Sequence, residues 1–199
     1  MTHTAVVMQA WIEVRSDDPE AVSALAVSRA GGVVERAPEV LERVRLFEIT
    51  GTACSRERVE ALLHGSSQFY NPHKERCVVR GSKDDPLPGP AGFEYIVVWE
   101  RAGERRPAAE RWWRHEAGEC VEVREAVAWR ARFAPGVEPT AAAHELARVR
   151  DARHGLLCNP WSQEFRCGVA AAAFPWIAPA PDAPGPRGPA AHPRTGGAA

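Results

Sequence analysis

Five cysteines and seven histidines carry most of the nucleophilic and metal-ligating capacity of this 199-residue chain. The cysteines are Cys54, Cys77, Cys120, Cys158 and Cys167, an odd number with no C-x-x-C pair. That pattern argues against a disulfide framework and against a structural zinc site. His73 stands four residues before Cys77, and His154 four before Cys158. A catalytic thiol needs its base within hydrogen-bond reach, so each pair is a candidate. The pairs are not equivalent, however. His73 and Cys77 follow Asn71-Pro72, whereas His154 and Cys158 precede Asn159-Pro160. Their shared spacing reads as coincidence, and Cys77 and Cys167 read as matched, buried apolar residues of two closing strands. The histidines are scattered without metal-ligand spacing, and no glycine-rich phosphate loop is present. Glu75 and Glu164 follow the two Asn-Pro turns. Two carboxylates can do acid–base work, but these lie in separate segments and read as solvated charge. The sequence therefore assigns no catalytic, cofactor-binding or metal-ligating residue.

Seven tryptophans are the other conspicuous feature. Trp112 and Trp113 are adjacent in a predicted helix, where neighbours point about 100° apart. One of them should therefore face another unit or another protein, which makes Trp112 and Trp113 the candidate interface.

These residues must be positioned by a chain of globular composition, 45% hydrophobic and 26% charged. The first 80 residues hold ten Lys/Arg against eleven Asp/Glu, and residues 93–177 hold twelve against twelve. Neither half is a basic platform, so nucleic-acid binding is not expected. No apolar run approaches the ~18 residues of a membrane span, and the N-terminus lacks a signal-peptide pattern. The expected location is cytoplasmic.

Composition breaks divide the chain. Residues 81–92, GSKDDPLPGPAG, read as a Pro/Gly linker. Residues 178–199 are Pro/Ala/Gly-rich and without aromatics, and read as a disordered tail. Two units remain, 1–80 and 93–177, each with the order β-α-β-α-β. In the first, Met8, Ala10, Ile12 and Val14 alternate with polar neighbours and Trp11, which predicts a half-buried strand. Asp18 and Pro19 open a helix with Val22, Leu25 and Ala26 on one face, ending at Gly31-Gly32. Val44 to Thr50 forms a strand. Ser55 caps a helix bearing Val59, Leu62 and Leu63, and Arg76 to Val79 closes the unit. In the second, Phe93 to Trp99 is a strand, and Pro107 to Gly118 bounds a helix. Val121 to Phe133 is a strand, a helix starts near Thr140, and Phe165 to Cys167 closes the unit.

The segment LLCNPWSQEFR, Leu156 to Arg166, resembles the closing helix-to-strand segment of the small PurS subunit of phosphoribosylformylglycinamidine synthase. In that family an Asn-Pro breaks the last helix after a Leu-Leu pair. Asn71, Pro72, Asn159 and Pro160 are on this reading helix-end motifs. The first unit resembles the family further: the strand Gln9 to Arg15, the Asp18-Pro19-Glu20 helix start, Val44-Arg45 leading into Phe47-Glu48-Ile49, and the helix Arg56 to Leu63. His64 to Tyr70 is an added stretch relative to the family. The large form of the same synthase begins with a domain resembling a PurS dimer.

The resemblance implies an α+β fold of two tandem PurS-like or ferredoxin-like units forming a pseudo-dimer in one chain. It also implies a non-catalytic subunit of formylglycinamide ribonucleotide amidotransferase in purine biosynthesis, without a cofactor of its own. Its partners would be the synthetase and glutaminase subunits, with a homo-oligomer as a further possibility. The alternatives are a small-ligand-binding or regulatory module of ferredoxin-like fold, and a small enzyme acting at Cys77 or Cys158.

Overall fold

The computed structural model describes residues 6–30, 34–101, 105–148, 156–168 and 174. Ten elements follow in the order β1 (Val7–Val14), α1 (Pro19–Arg29), β2 (Val40–Thr50), α2 (Arg56–His64), β3 (Glu75–Arg80), β4 (Glu94–Glu100), α3 (Pro107–Ala117), β5 (Glu122–Arg132), α4 (Pro139–Ala147) and β6 (Gln163–Cys167). The fold is α+β, with one six-stranded antiparallel sheet in the order β3-β1-β2-β5-β4-β6. The predicted tail, 178–199, lies outside the described residues. No described helix is long and apolar enough to cross a membrane.

Local chemistry sets the helix ends. The Asp18 carboxylate accepts from the Glu20 and Ala21 N–H groups and Pro19 sits in the first turn, so α1 starts where cap and ring agree. Ser55 caps α2 through the Arg58 N–H. Gly118, at φ 71°, ends α3 in the left-handed region that costs glycine little. α1 ends at Ala30, one residue before the predicted Gly31-Gly32, which lies outside the described residues.

The sheet is continuous across the two halves of the chain. β2 and β5 pair over eleven residues, Val40 opposite Arg132 through Thr50 opposite Glu122, with Arg45 opposite Val127 at the centre. Their first ten residues show the same succession of buried and half-buried positions. α1 matches α3 at eleven residues, and α2 matches α4 at nine.

All four helices contribute to cores on one face of the sheet, and each core mixes the two halves. Val59, Leu62 and Leu63 of α2 pack with Ala109 and Trp113 of α3 over Ala10, Phe47 and Val123. Ala21 and Leu25 of α1 pack with Ala143 and Leu146 of α4 over Leu41, Ile96 and Trp129. Val22, predicted to face inward, is 55% exposed. Ala21 and Ser28 are the buried positions of α1, because its register is set by Asp18 and by packing of the small residues Ala21 and Ala24.

The opposite face is also buried, and among the described residues its core draws none from a helix. Trp11, Val44, Leu46, Tyr95, Val97, Ala126 and Ala128 form it, with Leu87 and Phe93 packed against it. Residues 81–92 are thus a fitted strap rather than a free linker. Arg80 donates to the Asp85 carbonyl, and the Tyr95 hydroxyl and Arg130 both donate to the Pro88 carbonyl. This corrects the half-buried reading of β1: all of Met8 to Glu13 is buried. Gln9 sits there because Glu48 accepts from its amide at 2.7 Å, while its own carbonyl oxygen accepts from Arg80 and Trp11.

Candidate functional site

The Asn-Pro segments are turns into strands, not helix ends. α2 is already closed at Gly65, six residues before Asn71, and α4 ends at Ala147, well before Asn159. Leu156-Leu157 lies outside any helix. What Asn71 and Asn159 do instead is the same in both places. The side-chain oxygen of Asn71 accepts from the His73 N–H, and that of Asn159 from the Trp161 N–H, each at 3.0 Å. Their own N–H groups donate to Glu75 and Gln163, four residues on. Their carbonyls accept from the N–H groups of those same residues. These are Asx turns closed by a side-chain clamp. Arg15 and Arg101, just past β1 and β4, then tie each turn to the opening strand of its half. Their Nε atoms donate to the carbonyls of Glu75 and Gln163, and their N–H groups to those of Lys74 and Ser162.

The separation of the two asparagines, 159 − 71 = 88, sets Cys77 against Phe165 and Val79 against Cys167. The two cysteines are therefore not matched, although both lie on the helix-covered face. Burial pushes each thiol up to about 12, and pushes Cys158 up as well. A thiol with such a pKa stays protonated at neutral pH and is a poor nucleophile. His154 lies outside the described residues. The His73 N–H belongs to its turn, and Glu75 is engaged by Arg45 at 3.1 Å. Among the described residues no group of His, Cys, Asp and Glu is placed to hold a metal ion.

Trp113 is fully buried, which removes it as a surface for a partner protein. Its ring meets Phe69 at 6.2 Å between centroids, and half-buried Trp112 meets the same ring at 5.9 Å. Both indoles therefore turn toward the first half of the chain. Trp113 Nε1 donates to Glu119, which also accepts from Thr52 Oγ1 and the Ala53 N–H. Burial raises the Glu119 carboxyl, and the hydrogen bonds from Thr52, Trp113 and Ala53 more than reverse this, leaving it below its ordinary value. Among the described residues the exposed indole is Trp161, at 78%, on the second Asx turn.

A cluster of charged residues lies elsewhere, around a cavity of about 200 Å³ where β1 leaves the sheet and β2 enters it. Glu13, Asp17, Glu42, Arg43, Arg76 and Arg130 supply its charged lining together with Asp18. Glu13 pairs with both Arg76 and Arg130, and Glu42 lies 2.7 Å from Arg130. Arg43 reaches Asp18 and Glu20. Burial raises the Glu13 carboxyl, but the hydrogen bond from Arg76 and the charge of Arg130 outweigh it, so Glu13 lies below the usual range. Arg130 comes from the second half of the chain and the remaining charged groups from the first, so neither half builds the site alone. Sequence alone does not single out this cluster, because nothing local to Glu13 or Arg130 shows that a distant segment will cover them. That segment is the strap, which folds back over this face of the sheet.

A comparison with protein-family models, curated proteins and solved structures finds no match to the chain.

Proposed function

We propose that this chain is a non-catalytic assembly subunit, two PurS-like units duplicated in tandem and joined as a pseudo-dimer. The observation that carries the duplication is the pair of equivalent Asx turns, each clamped by a side chain four residues on and tied by an arginine at the end of the opening strand. Equal helix lengths and the centred β2–β5 pairing support the same reading. Protonated, half-buried thiols favour a structural over a nucleophilic role. The resemblance of Leu156 to Arg166 and of the first unit supplies the biochemical setting. In it, a cytoplasmic subunit of phosphoribosylformylglycinamidine synthase holds the glutaminase beside the ATP-dependent synthetase. The test is reconstitution with synthetase and glutaminase from the same source. Complex formation by size exclusion and glutamine-dependent product formation should both rise when the chain is added. Equal assembly and turnover without it would remove this role. The alternative, a ligand-binding module of ferredoxin-like fold, is favoured by the charged cavity at the junction of the halves.

A further inference from the structure

We infer that β6 is a docking edge for a second copy of this chain, which pairs with it antiparallel about Phe165. The inference goes beyond the assembly role and does not depend on it. β6 ends the sheet on its side, and among the described residues no strand lies beyond it. The ladder fixes which backbone groups this edge offers. The Arg101 N–H donates to the Ser162 carbonyl at 2.8 Å, in register with the β4–β6 pairing. Antiparallel alternation then turns the backbone groups of Glu164 and Arg166 toward β4, and those of Gln163, Phe165 and Cys167 away from it. Gln163 is already engaged. Its N–H donates to the Asn159 carbonyl, and its own carbonyl accepts from Arg101 Nε. Phe165, at the middle of the strand, faces outward with both of its backbone groups.

The side chains select the register. A two-fold axis through the sheet sets one residue opposite its own copy, because directly opposed residues share a face. Centred on Phe165, all five residues of Gln163–Cys167 find partners. Glu164 then stands opposite the copy's Arg166 and Arg166 opposite the copy's Glu164, while the two Phe165 backbones exchange N–H···O bonds. Centring on Glu164 or on Arg166 overlaps fewer residues and sets like charges opposite, which destabilises a ladder. The two charged side chains share the face away from α4. The Arg166 guanidinium covers the Trp99 ring at 5.5 Å, whereas Phe165 meets His144 of α4 at 5.5 Å between ring centroids. The other edge, β3, resists the same pairing. Centred on Val78 it sets Arg76 opposite Arg80, and centred on Cys77 it sets Lys74 opposite Arg80. One self-complementary edge and one self-repelling edge give a closed dimer, not a filament. Trp161, 78% exposed and two residues before β6, adds beside this edge an aromatic of the kind enriched at interfaces.

The experiment is sedimentation velocity on the full chain under reducing conditions, from about 1 to about 500 µM. A short edge makes a small interface of the weaker class, so a monomer–dimer equilibrium with Kd of about 100 µM or tighter is expected. Arg166→Glu sets carboxylates opposite each other twice and should weaken dimerisation at least ten-fold, with an unchanged circular dichroism spectrum. Adding Glu164→Arg to it restores opposite charges and should recover the wild-type Kd within about three-fold. Both variants lose the stack on Trp99, so recovery isolates the pairing across the edge. In the wild type, hydrogen exchange at the Phe165 amide should slow as concentration rises through Kd. A monomer at 500 µM, or exchange at Phe165 that ignores concentration, overturns the inference. Undiminished dimerisation by Arg166→Glu overturns the location, failure of the double variant to recover overturns the register, and assemblies beyond two copies overturn the closed edge. No partner protein is present, so these outcomes are separate from those of the reconstitution.

Discussion

Trp113→Ala should be the most destabilising single change on the helix-covered face. A buried aromatic ring removes ~150–250 Å² from water. At ~25 cal/mol per Å² that is about 4–6 kcal/mol, near the ~3–5 kcal/mol found for large aromatic truncations in cores. The hydrogen bond to Glu119 adds to it, at the lower end of the range for a charged acceptor, because Thr52 and Ala53 still hold the carboxylate. A domain of this kind has ~5–15 kcal/mol in all, so the alanine variant could lose its folded state altogether. Trp113→Phe keeps most of the ring and loses only the indole N–H and some volume, and should cost about 1–2 kcal/mol. Trp112→Ala, at a half-buried position, should fall between the two.

Urea unfolding followed by far-ultraviolet circular dichroism measures all three without relying on tryptophan fluorescence. The expected order of midpoints is wild type, Trp113→Phe, Trp112→Ala, Trp113→Ala, with unchanged slopes. A Trp113→Ala cost under about 1.5 kcal/mol would refute the packing argument and return Trp113 to the surface as an interface residue.

Replacing Asn71 or Asn159 by Ala removes the Asx acceptor and should cost about 1 kcal/mol each, measured by thermal melting; equal costs are expected because the two turns make the same bonds. Cys77→Ala and Cys167→Ala should each lose about 1–2 kcal/mol with no functional change, and native-state thiol labelling should reach exposed Cys120 long before either. Glu13 and Glu119 have folded-state pKa values below their unfolded ones. Their contribution is complete above the unfolded value near 4.5 and fades as pH falls through it toward the folded value. Melting temperature should therefore drop on acidification below about pH 5, and Glu119→Gln should flatten that drop.

Caps and apolar spacing were legible in the chain because they are local. Asp18-Pro19, Ser55, Gly118 and the Val59, Leu62, Leu63 triplet each declare themselves within a few residues, and the structure uses all of them. Burial of both faces of β1 was not legible, because it depends on where residues 81–92 travel after β3 ends. Their Pro/Gly composition says that they form neither helix nor strand, and says nothing of the hydrogen bonds from Arg80, Tyr95 and Arg130 that lay them across the sheet. The charged cavity was hidden for the same reason, since its members come from β1, β2, β3 and β5. Asn71 and Asn159 were conspicuous in sequence, but a helix cap and an Asx turn favour the same residue, and only the ends of α2 and α4 separate the two.

The charges along the central seam explain why two such halves would prefer each other to copies of themselves. On the proposed duplication, β2 and β5 are related about the Arg45–Val127 pair. On the strap-covered face Glu42 then stands opposite Arg130, and Glu48 opposite Arg124. If the first half paired with itself about the same centre, Glu42 would meet Glu48 and Arg45 would meet Arg45. If the second half did so, Arg124 would meet Arg130. Like charges directly opposite in a ladder are destabilising, and under a covered face the repulsion is less screened than in water. Opposite charges at both positions turn the same seam into a selective one. Because the Glu42–Arg130 pair is half-buried at one end and buried at the other, removing Arg130 should be costly. Arg130→Met strands Glu13 and Glu42 together and should lose about 3–5 kcal/mol. Adding Glu42→Gln to that variant should recover part of the loss, and the coupling from the double-mutant cycle, about 1 kcal/mol or more, measures the seam. Additive losses would show that the pair does no selecting, and that the halves are held in register by apolar packing alone.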